Sequence, residues 1–488
     1  MRSFNCHIMN QMKSKLGLLT VVAILAFSCK KKNESVNTPP PPVTSTAEEL
    51  LMDSVYLYSK EVYFWNDHIS SYDQFNPRQY NGPDEFKSAK NVMGAIRQPQ
   101  PLDRYSFVTT IEESDGIQTG EDKDFGFFLK SASVDLAAPL DSIYWFVSYV
   151  YDKSTAGIAG VRRGWIINKI NGTQLGYDEP SINILNNTFF GTVTTANFEF
   201  IKPDNSPATA SLSKSSFQAN SVLYKGVLTP GAAKVGYLVF NQFFGEPSRV
   251  ELASAFAGFQ SQGITDLVVD LRYNPGGSTE TQDILANLIA PLSANNQKMY
   301  SYQFNPQLQQ GNFPLLQKKP GFQNVSFSEA TNTVKYEKSG TLNLGRVFFI
   351  VTGSSASASE LIINNLKPYM DVKLIGDTTY GKPVGFFPIQ ISKYAIYPIS
   401  FRTINSAGNA DYYSGFAPDK LANDGVNKDW GDITEPSLAA ALNYIGTGAF
   451  GRAPENGLMK LRRDAQQLLK PVQTNLESKK FVGMYKED

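Results

Sequence analysis

The sequence predicts an α/β multidomain protein: a helical region, then a β-rich region, then a longer region in which strands and helices alternate. Three observations carry this. Apolar residues fall at helical spacing between positions 47 and 69, as Leu50, Leu51, Val55, Tyr56, Val62, Tyr63 and Trp65. Between 125 and 217 they come in strand-like runs, such as Tyr144-Trp145-Phe146-Val147-Ser148-Tyr149-Val150-Tyr151. From about 232 onward, wholly apolar runs of strand length end in glycine- or serine-rich loops and lead into helices.

Residues 1–29 read as a targeting signal and stand outside the fold. Arg2, Lys13 and Lys15 precede an apolar stretch, Leu16 to Ser28, too short to span a bilayer comfortably. It ends at Cys29 and resembles a bacterial lipoprotein signal, although Ala26 stands where such signals usually carry leucine. The resemblance implies lipidation of Cys29 and an exported protein anchored in the bacterial cell envelope, on its periplasmic or surface face. An ordinary cleaved signal or an anchor helix is the alternative. Residues 30–46, with four prolines at 39–42, form an extended tether.

Lys+Arg and Asp+Glu are equal at 45 each, so net charge gives no reason to expect a nucleic-acid partner. Cys6 and Cys29 are the only cysteines, and His7 and His68 the only histidines. The body after the signal therefore has no thiol to cross-link or to attack with, and no zinc-type ligand cluster. No cofactor or metal is expected. A serine nucleophile would have to use His68 or a base of another kind.

The remaining boundaries follow the changes of pattern. Residues 47–115 form a helical domain, with a second helix around Pro83 to Arg97. Residues 116–220 form the β-rich domain, 221–450 the βα domain, and 451–488 a charged tail with an amphipathic stretch from Leu458 to Leu469. In the βα domain, a strand Val235–Phe240 and a helix Arg249–Gln260 precede the apolar strand Ile264–Arg272. That strand runs into Tyr273-Asn274-Pro275-Gly276-Gly277-Ser278 and a helix, Glu280–Ile289. A polar and aromatic insertion spans Lys298–Lys338. The strand Val347–Thr352 then leads through Gly353-Ser354-Ser355-Ala356-Ser357-Ala358-Ser359 into an apolar helix. Val372–Gly376 leads into Thr378-Thr379-Tyr380-Gly381-Lys382-Pro383. Loops at the C-terminal ends of parallel strands share one sheet edge, the usual place for a site. Pro436–Tyr444 is the last helix expected.

Two sets of motifs carry resemblances. Ser154 to Thr173, a small-residue helix, a glycine and a strand ending in Asn171-Gly172, resembles the core of PDZ domains. Gly126, Phe127 and Phe128 stand where those domains keep their carboxylate-binding loop. The resemblance implies capture of a peptide C-terminus by successive N–H groups and addition of the peptide as a strand. A β-rich spacer without an open groove is the alternative.

Asp270-Leu271-Arg272-Tyr273-Asn274-Pro275-Gly276-Gly277, Ser355-Ala356-Ser357-Ala358-Ser359-Glu360, Ile375-Gly376 and Tyr380-Gly381-Lys382 resemble the motifs of C-terminal processing peptidases. These are tail-specific, tricorn-like serine proteases. The resemblance implies a lipoprotein form with a PDZ-like domain and a crotonase/ClpP-like βα catalytic domain. It makes Ser357 the nucleophile and Lys382, 25 residues further on, the base. Ala358 and Gly277 would supply the oxyanion N–H donors, with Gly276 as the fallback.

The residues agree with those roles. A serine hydroxyl needs an adjacent base, and a lysine serves when desolvation lowers its pKa. Lys382 stands amid Tyr380, Val384, Phe386 and Phe387. Taken singly, Ser357 and Glu360 could be a helix capping box, Asn-Pro-Gly-Gly a turn and Gly-Lys a loop end. Their joint order and spacing favour a site. The expected function is a serine endopeptidase that cleaves polypeptides near their C-termini through an acyl-enzyme. Its partners would be a polypeptide with a free C-terminal tail and, through the lipid anchor, a membrane. One position departs from the pattern: Phe386 stands where processing peptidases often place a glutamine that orients the lysine. A catalytically weak or inactive peptide-binding protein is therefore the alternative. A crotonase-like acyl-transforming enzyme is a third reading.

Overall fold

Strict alternation of two apolar faces organises the larger half of the chain. In Val235–Phe240, Asp266–Asp270 and Arg346–Val351, one set of side chains (Leu238, Phe240, Leu267, Val269, Phe349, Val351) faces one core. The intervening set (Val235, Tyr237, Val268, Phe348, Ile350) faces another. A sheet buried on both sides reads as a continuous apolar run, which explains the sequence pattern. The computed structural model describes residues 45–133, 143–451 and 483–486. Cys29, the signal, most of the tether and the Leu458–Leu469 stretch lie outside them.

The sheet runs in the order Val222–Leu228, Val235–Phe240, Asp266–Asp270, Arg346–Val351, Asp371–Gly376, Lys420–Leu421. The first pairing is antiparallel and the other four parallel. Helices Glu246–Gln262, Thr279–Ile289 and Ala358–Leu366 cover one face, and Pro436–Thr447 the other. The strand ends preceding Gly276 and Ser357 therefore lie side by side on one edge.

The 298–338 insertion is more ordered than its composition suggests. Its first strand, Lys298–Phe304, pairs with Phe401–Asn405, which in turn pairs with Val384–Gly385 just beyond Lys382. Another small sheet joins Phe107–Thr110 to Tyr394–Tyr397 and Ile389–Ile391. Leu51, Val55 and Val92 of the helical region share one core with Leu361, Phe386 and Phe401. The helical region thus packs into the βα region and has no separate core. Its first helix, expected to reach Ile69, ends at Val62. There the Phe64 N–H leaves the helical pattern to bond the Ile399 carbonyl (2.7 Å).

In the β-rich region, Phe127–Ser133, Ile143–Val150, Ile166–Ile170, Thr195–Ile201 and Pro207–Ser213 form an antiparallel sheet with Phe127–Ser133 at its edge. It has a core of its own around Trp145, Val147 and Phe198, with helix Glu179–Phe190 packed against it through Leu185. The end of the expected charged tail holds a strand. Gly483–Tyr485 pairs in parallel with Gly276–Ser278.

Candidate active site

The site is built at the C-terminal end of the Arg346–Val351 strand. Ser357, next to helix Ala358–Leu366, has φ 59° and ψ −107°, a conformation few non-glycine residues adopt. Several bonds pin it there. Ser355 Oγ donates to the Leu271 carbonyl (2.7 Å) and the Ala356 N–H to the Asn274 carbonyl (3.0 Å). The Leu361 N–H donates to the Ser357 carbonyl (2.7 Å). Ser357 and Glu360 stand in capping-box positions, and the Ser357 N–H donates to Glu360 Oε2 (2.9 Å). The Ser357 hydroxyl, however, is wholly buried without a hydrogen-bond partner. Leaving such a group unsatisfied costs about 1–3 kcal/mol, a cost folded proteins bear mainly where chemistry needs it.

Glu360 joins the two candidate residues. Its Oε2 accepts from the N–H groups of both Ser357 and Lys382 (2.8 Å for the latter). Its Oε1 accepts from the Gly381 N–H (2.7 Å) and the Thr379 hydroxyl (2.6 Å). Burial pushes the Glu360 carboxyl up from its ordinary pKa, against the pull of the Thr379 hydroxyl and the three N–H groups. Gly381, at φ 88°, lets the chain pass where a methyl group would lie 2.3 Å from the Tyr413 carbonyl oxygen. The Tyr380 N–H bonds the Ser355 carbonyl (3.0 Å), closing one loop on the other.

Lys382 is wholly buried. Its Nζ lies 4.0 Å from the centre of the Phe386 ring and 4.6 Å from that of Tyr105. Desolvation holds its pKa well below the ordinary lysine value, against the smaller opposing effects of Asp103 and Glu360. Tyr105 donates its hydroxyl to the Gly381 carbonyl (3.0 Å). Asp103 is fixed by the Tyr63 hydroxyl (2.8 Å), the Ser106 hydroxyl (2.6 Å) and the N–H groups of Tyr105 and Ser106 (2.9 Å each). Sequence reasoning missed Asp103 and Tyr105. They fall in the short link Leu102–Ser106 between a helix and a strand, where no periodicity or motif marks them.

The glycine loop of the neighbouring strand abuts the serine. A methyl group on Gly276 would lie 3.0 Å from Ser357 Cβ, and one on Gly277 1.9 Å from the Phe243 carbonyl oxygen. The Gly276 N–H is committed to Asn274 Oδ1 (2.9 Å), and Asn274 Nδ2 donates to the Phe240 carbonyl (2.9 Å). Ala358 is the first residue of its helix. The structure thus gathers Ser357, Ala358, Gly276, Gly277 and Lys382 in one place.

Two other candidates lie elsewhere. His68 is exposed beside Asp67. Gly126, at φ 81°, precedes the Phe127–Ser133 edge strand, and its N–H is taken by the Asp124 carboxylate. Phe127 is buried in the core of that region, and Phe128 stacks on Tyr149.

A buried ionic cluster ties the β-rich region to the base of the glycine loop. Arg272 bonds Asp270 (2.7 Å), Asp424 (2.8 Å) and Glu435 (2.7 Å). Asp424 also receives Lys130 (2.7 Å), Arg163 (2.8 Å) and the Tyr273 hydroxyl. Burial alone would push the Asp424 carboxyl up, but Lys130, Arg163 and Arg272 outweigh it and hold the group well below its ordinary value.

Fold and site together define an α/β protein whose strained serine is presented at a strand-to-helix turn beside a buried lysine. Residues 234–420 match the family described as peptidase family S41. It is 24% identical over 317 residues to a "Probable CtpA-like serine protease" of Staphylococcus aureus (strain COL), covering 64% of this chain and 55% of that one. A protein of the same description from Staphylococcus epidermidis is 27% identical over 165 residues, 34% of this chain and 28% of that one. The chain therefore spans about half the length, or less, of these curated relatives. The crystal structure of a putative S41 protease from Bacteroides fragilis has the same fold. It superposes with a TM-score of 0.59 at 21% identity, covering 81% of this chain and 97% of that one. Among the described residues, no helix is long and apolar enough to cross a membrane.

Proposed function

We propose that this protein is a serine endopeptidase that cleaves polypeptides near their C-termini with Ser357 as nucleophile and Lys382 as base. The observation that carries the reading is the pairing of a strained, buried, unpartnered serine hydroxyl with a desolvated lysine, both held by one Glu360 oxygen. An amine whose pKa burial lowers is the better able to take the hydroxyl proton. In this mechanism Ser357 Oγ attacks the scissile carbonyl carbon while Lys382 accepts its proton. The N–H groups of Ala358 and Gly277 hold the developing oxyanion. Lys382 returns the proton to the leaving amine, and water then hydrolyses the acyl-enzyme with Lys382 again as base. Gly276 is the weaker candidate donor, because Asn274 already engages its N–H.

In the same reading, residues 47–115, 116–220 and 221–450 act as a helical domain, a PDZ-like domain and a crotonase/ClpP-like catalytic domain. The Phe127–Ser133 edge would add a substrate tail as a strand near Gly126, Phe127 and Phe128. Lipidation at Cys29 would anchor the protein in the cell envelope. The test is cleavage of an unstructured polypeptide by the chain beside Ser357→Ala and Lys382→Ala. Each substitution is expected to lower turnover at least about a thousandfold, and unchanged rates in both would sink the reading. Phe386 favours a second reading, a peptide-binding protein without turnover, which predicts no labelling of Ser357 by a fluorophosphonate.

A further inference from the structure

The C-terminal strand Gly483–Tyr485 lies in the groove beside Ser357, hydrogen-bonded along both edges. On one side it runs parallel to Gly276–Ser278, with the Gly483 N–H donating to the Pro275 carbonyl (3.1 Å). On the other, the Phe386 N–H donates to the Met484 carbonyl (3.1 Å) and the Lys486 N–H to the Phe386 carbonyl (3.0 Å). One neighbour carries the glycines of the candidate oxyanion loop, and the other follows Lys382. A methyl group built on Gly276 would lie 2.3 Å from the Gly483 carbonyl oxygen and 3.0 Å from Ser357 Cβ, so the tail carbonyl and the serine flank the same glycine. The Met484 side chain is wholly buried and reaches the Gly385 backbone.

We propose that the groove between the Gly276–Ser278 strand and Phe386 accepts a polypeptide as an added strand, and that residues 483–486 occupy it as a built-in, displaceable competitor of substrate. The proposal rests on the peptidase reading of Ser357 and names how that site takes its substrate. Main-chain bonds on both edges are the means by which sheets capture extended peptides irrespective of sequence, with pockets for alternate side chains adding selectivity. Met484 marks such a pocket and implies a preference for an unbranched apolar residue at that position.

A conflict over one donor argues that the tail must leave. In a parallel ladder of this register, the bond after Gly483 N–H to Pro275 runs from the Gly277 N–H to the Gly483 carbonyl. Gly277 is the candidate oxyanion donor, and its N–H cannot serve the tail carbonyl and a developing oxyanion together. The tail's side-chain anchors include Thr279 Oγ1, which donates to the Tyr485 carbonyl (3.2 Å), the Tyr485 hydroxyl, which donates to the Gln118 carbonyl (3.4 Å), and Lys486, which pairs with a partly exposed Glu280 (3.7 Å).

The experiment compares the full chain with one lacking residues 483–488. The readouts are fluorophosphonate labelling of Ser357 and cleavage of an unstructured polypeptide. A tethered strand competes at an effective concentration of about millimolar, so removing it is expected to raise both rates about tenfold. Synthetic Gly-Met-Tyr-Lys-Glu-Asp added to the shortened chain should reverse the gain. Equal rates with and without the tail overturn the proposal. Because Met484 and Tyr485 are buried, the shortened chain could fail to fold, so hydrogen exchange on the intact Ser357→Ala chain supplies an independent arm. A displaceable tail exchanges its Gly483 and Lys486 amides, both hydrogen-bonded to the groove, at least about a hundredfold faster than the Val347–Val351 amides. Equal protection makes the tail part of the fold and overturns the competitor. If no form turns over, the peptidase reading fails. Hydrogen exchange, and binding of the synthetic peptide to the shortened Ser357→Ala chain, then still decide who occupies the groove.

Discussion

Replacing Glu360 with glutamine tests whether one carboxylate assembles the site. Its two oxygens accept four bonds, from the N–H groups of Ser357, Gly381 and Lys382 and from the Thr379 hydroxyl, all between 2.6 and 2.9 Å. Glutamine keeps the shape but turns one acceptor into a donor. With the amide nitrogen toward Ser357 and Lys382 two bonds are lost; with it toward Gly381 and Thr379 the Gly381 bond is lost, while the Thr379 hydroxyl can turn to accept. Bonds to a charged acceptor are worth about 1.5–3 kcal/mol each, so losing one or two of them is expected to destabilise Glu360→Gln by roughly 1.5–6 kcal/mol. The Ser357 and Lys382 main chains lose their shared anchor at the same time. A displacement of about 1 Å at such a site costs about a hundredfold in rate. Equilibrium urea unfolding and polypeptide cleavage, measured on the same preparation, check the two halves separately. A midpoint within about 0.3 M of the parent chain, together with turnover within threefold, would refute the reasoning.

Phe386→Ala removes the ring 4.0 Å from Lys382 Nζ and opens the amine to water. Because burial is what lowers this pKa, the acidic limb of kcat/KM, where the base Lys382 becomes protonated, should move to higher pH, read from a pH–rate profile. Asp424→Asn removes the negative charge shared by Lys130, Arg163 and Arg272 and turns one of the two acceptor oxygens into a donor. It is expected to cost about 3–5 kcal/mol in urea unfolding, as breaking a buried ion pair does. The same cluster fixes the sign of an acid effect. The Asp424 carboxyl is held below its ordinary value, so its share of stability is complete above about pH 4 and is lost as pH falls further. The stability gap between parent and Asp424→Asn should narrow below that pH, as urea midpoints from pH 7 down to 3 would show.

Local pattern exposed some of these features and hid others. The central strands were legible because both their faces are apolar, and the Ser357 turn because small residues cluster between a strand and a helix. Lys298–Phe304 was not. Its register partner, Phe401–Asn405, lies about a hundred residues away, and an alternating polar and aromatic strand looks like a loop until its neighbour is known. Asp103 and Tyr105 were illegible for a related reason, since their meaning comes from Lys382, nearly three hundred positions later. Gly483-Met484-Tyr485 sits in a charged tail and has no strand signal beyond its own three residues. Its pairing is set by the free edge it meets on the glycine loop.

The departure at Phe386 is best weighed by magnitudes. A glutamine near a lysine orients it through a hydrogen bond and also solvates its charged form. Here the Phe386 and Tyr105 rings surround Nζ instead. An ammonium gains about 0.5–2 kcal/mol from such faces, whereas burial strips the charge of its water and holds the Lys382 pKa well below the ordinary lysine value. Desolvation therefore wins, and the aromatic setting leaves the amine nearer neutrality than it would be in water. What the glutamine would have supplied in direction is supplied here by packing, with Tyr105 held through its hydroxyl to Gly381 and its N–H to Asp103. Phe386→Gln should then raise the lysine pKa without raising kcat. A gain in kcat from Phe386→Gln would show instead that orientation, and not desolvation, limits this site.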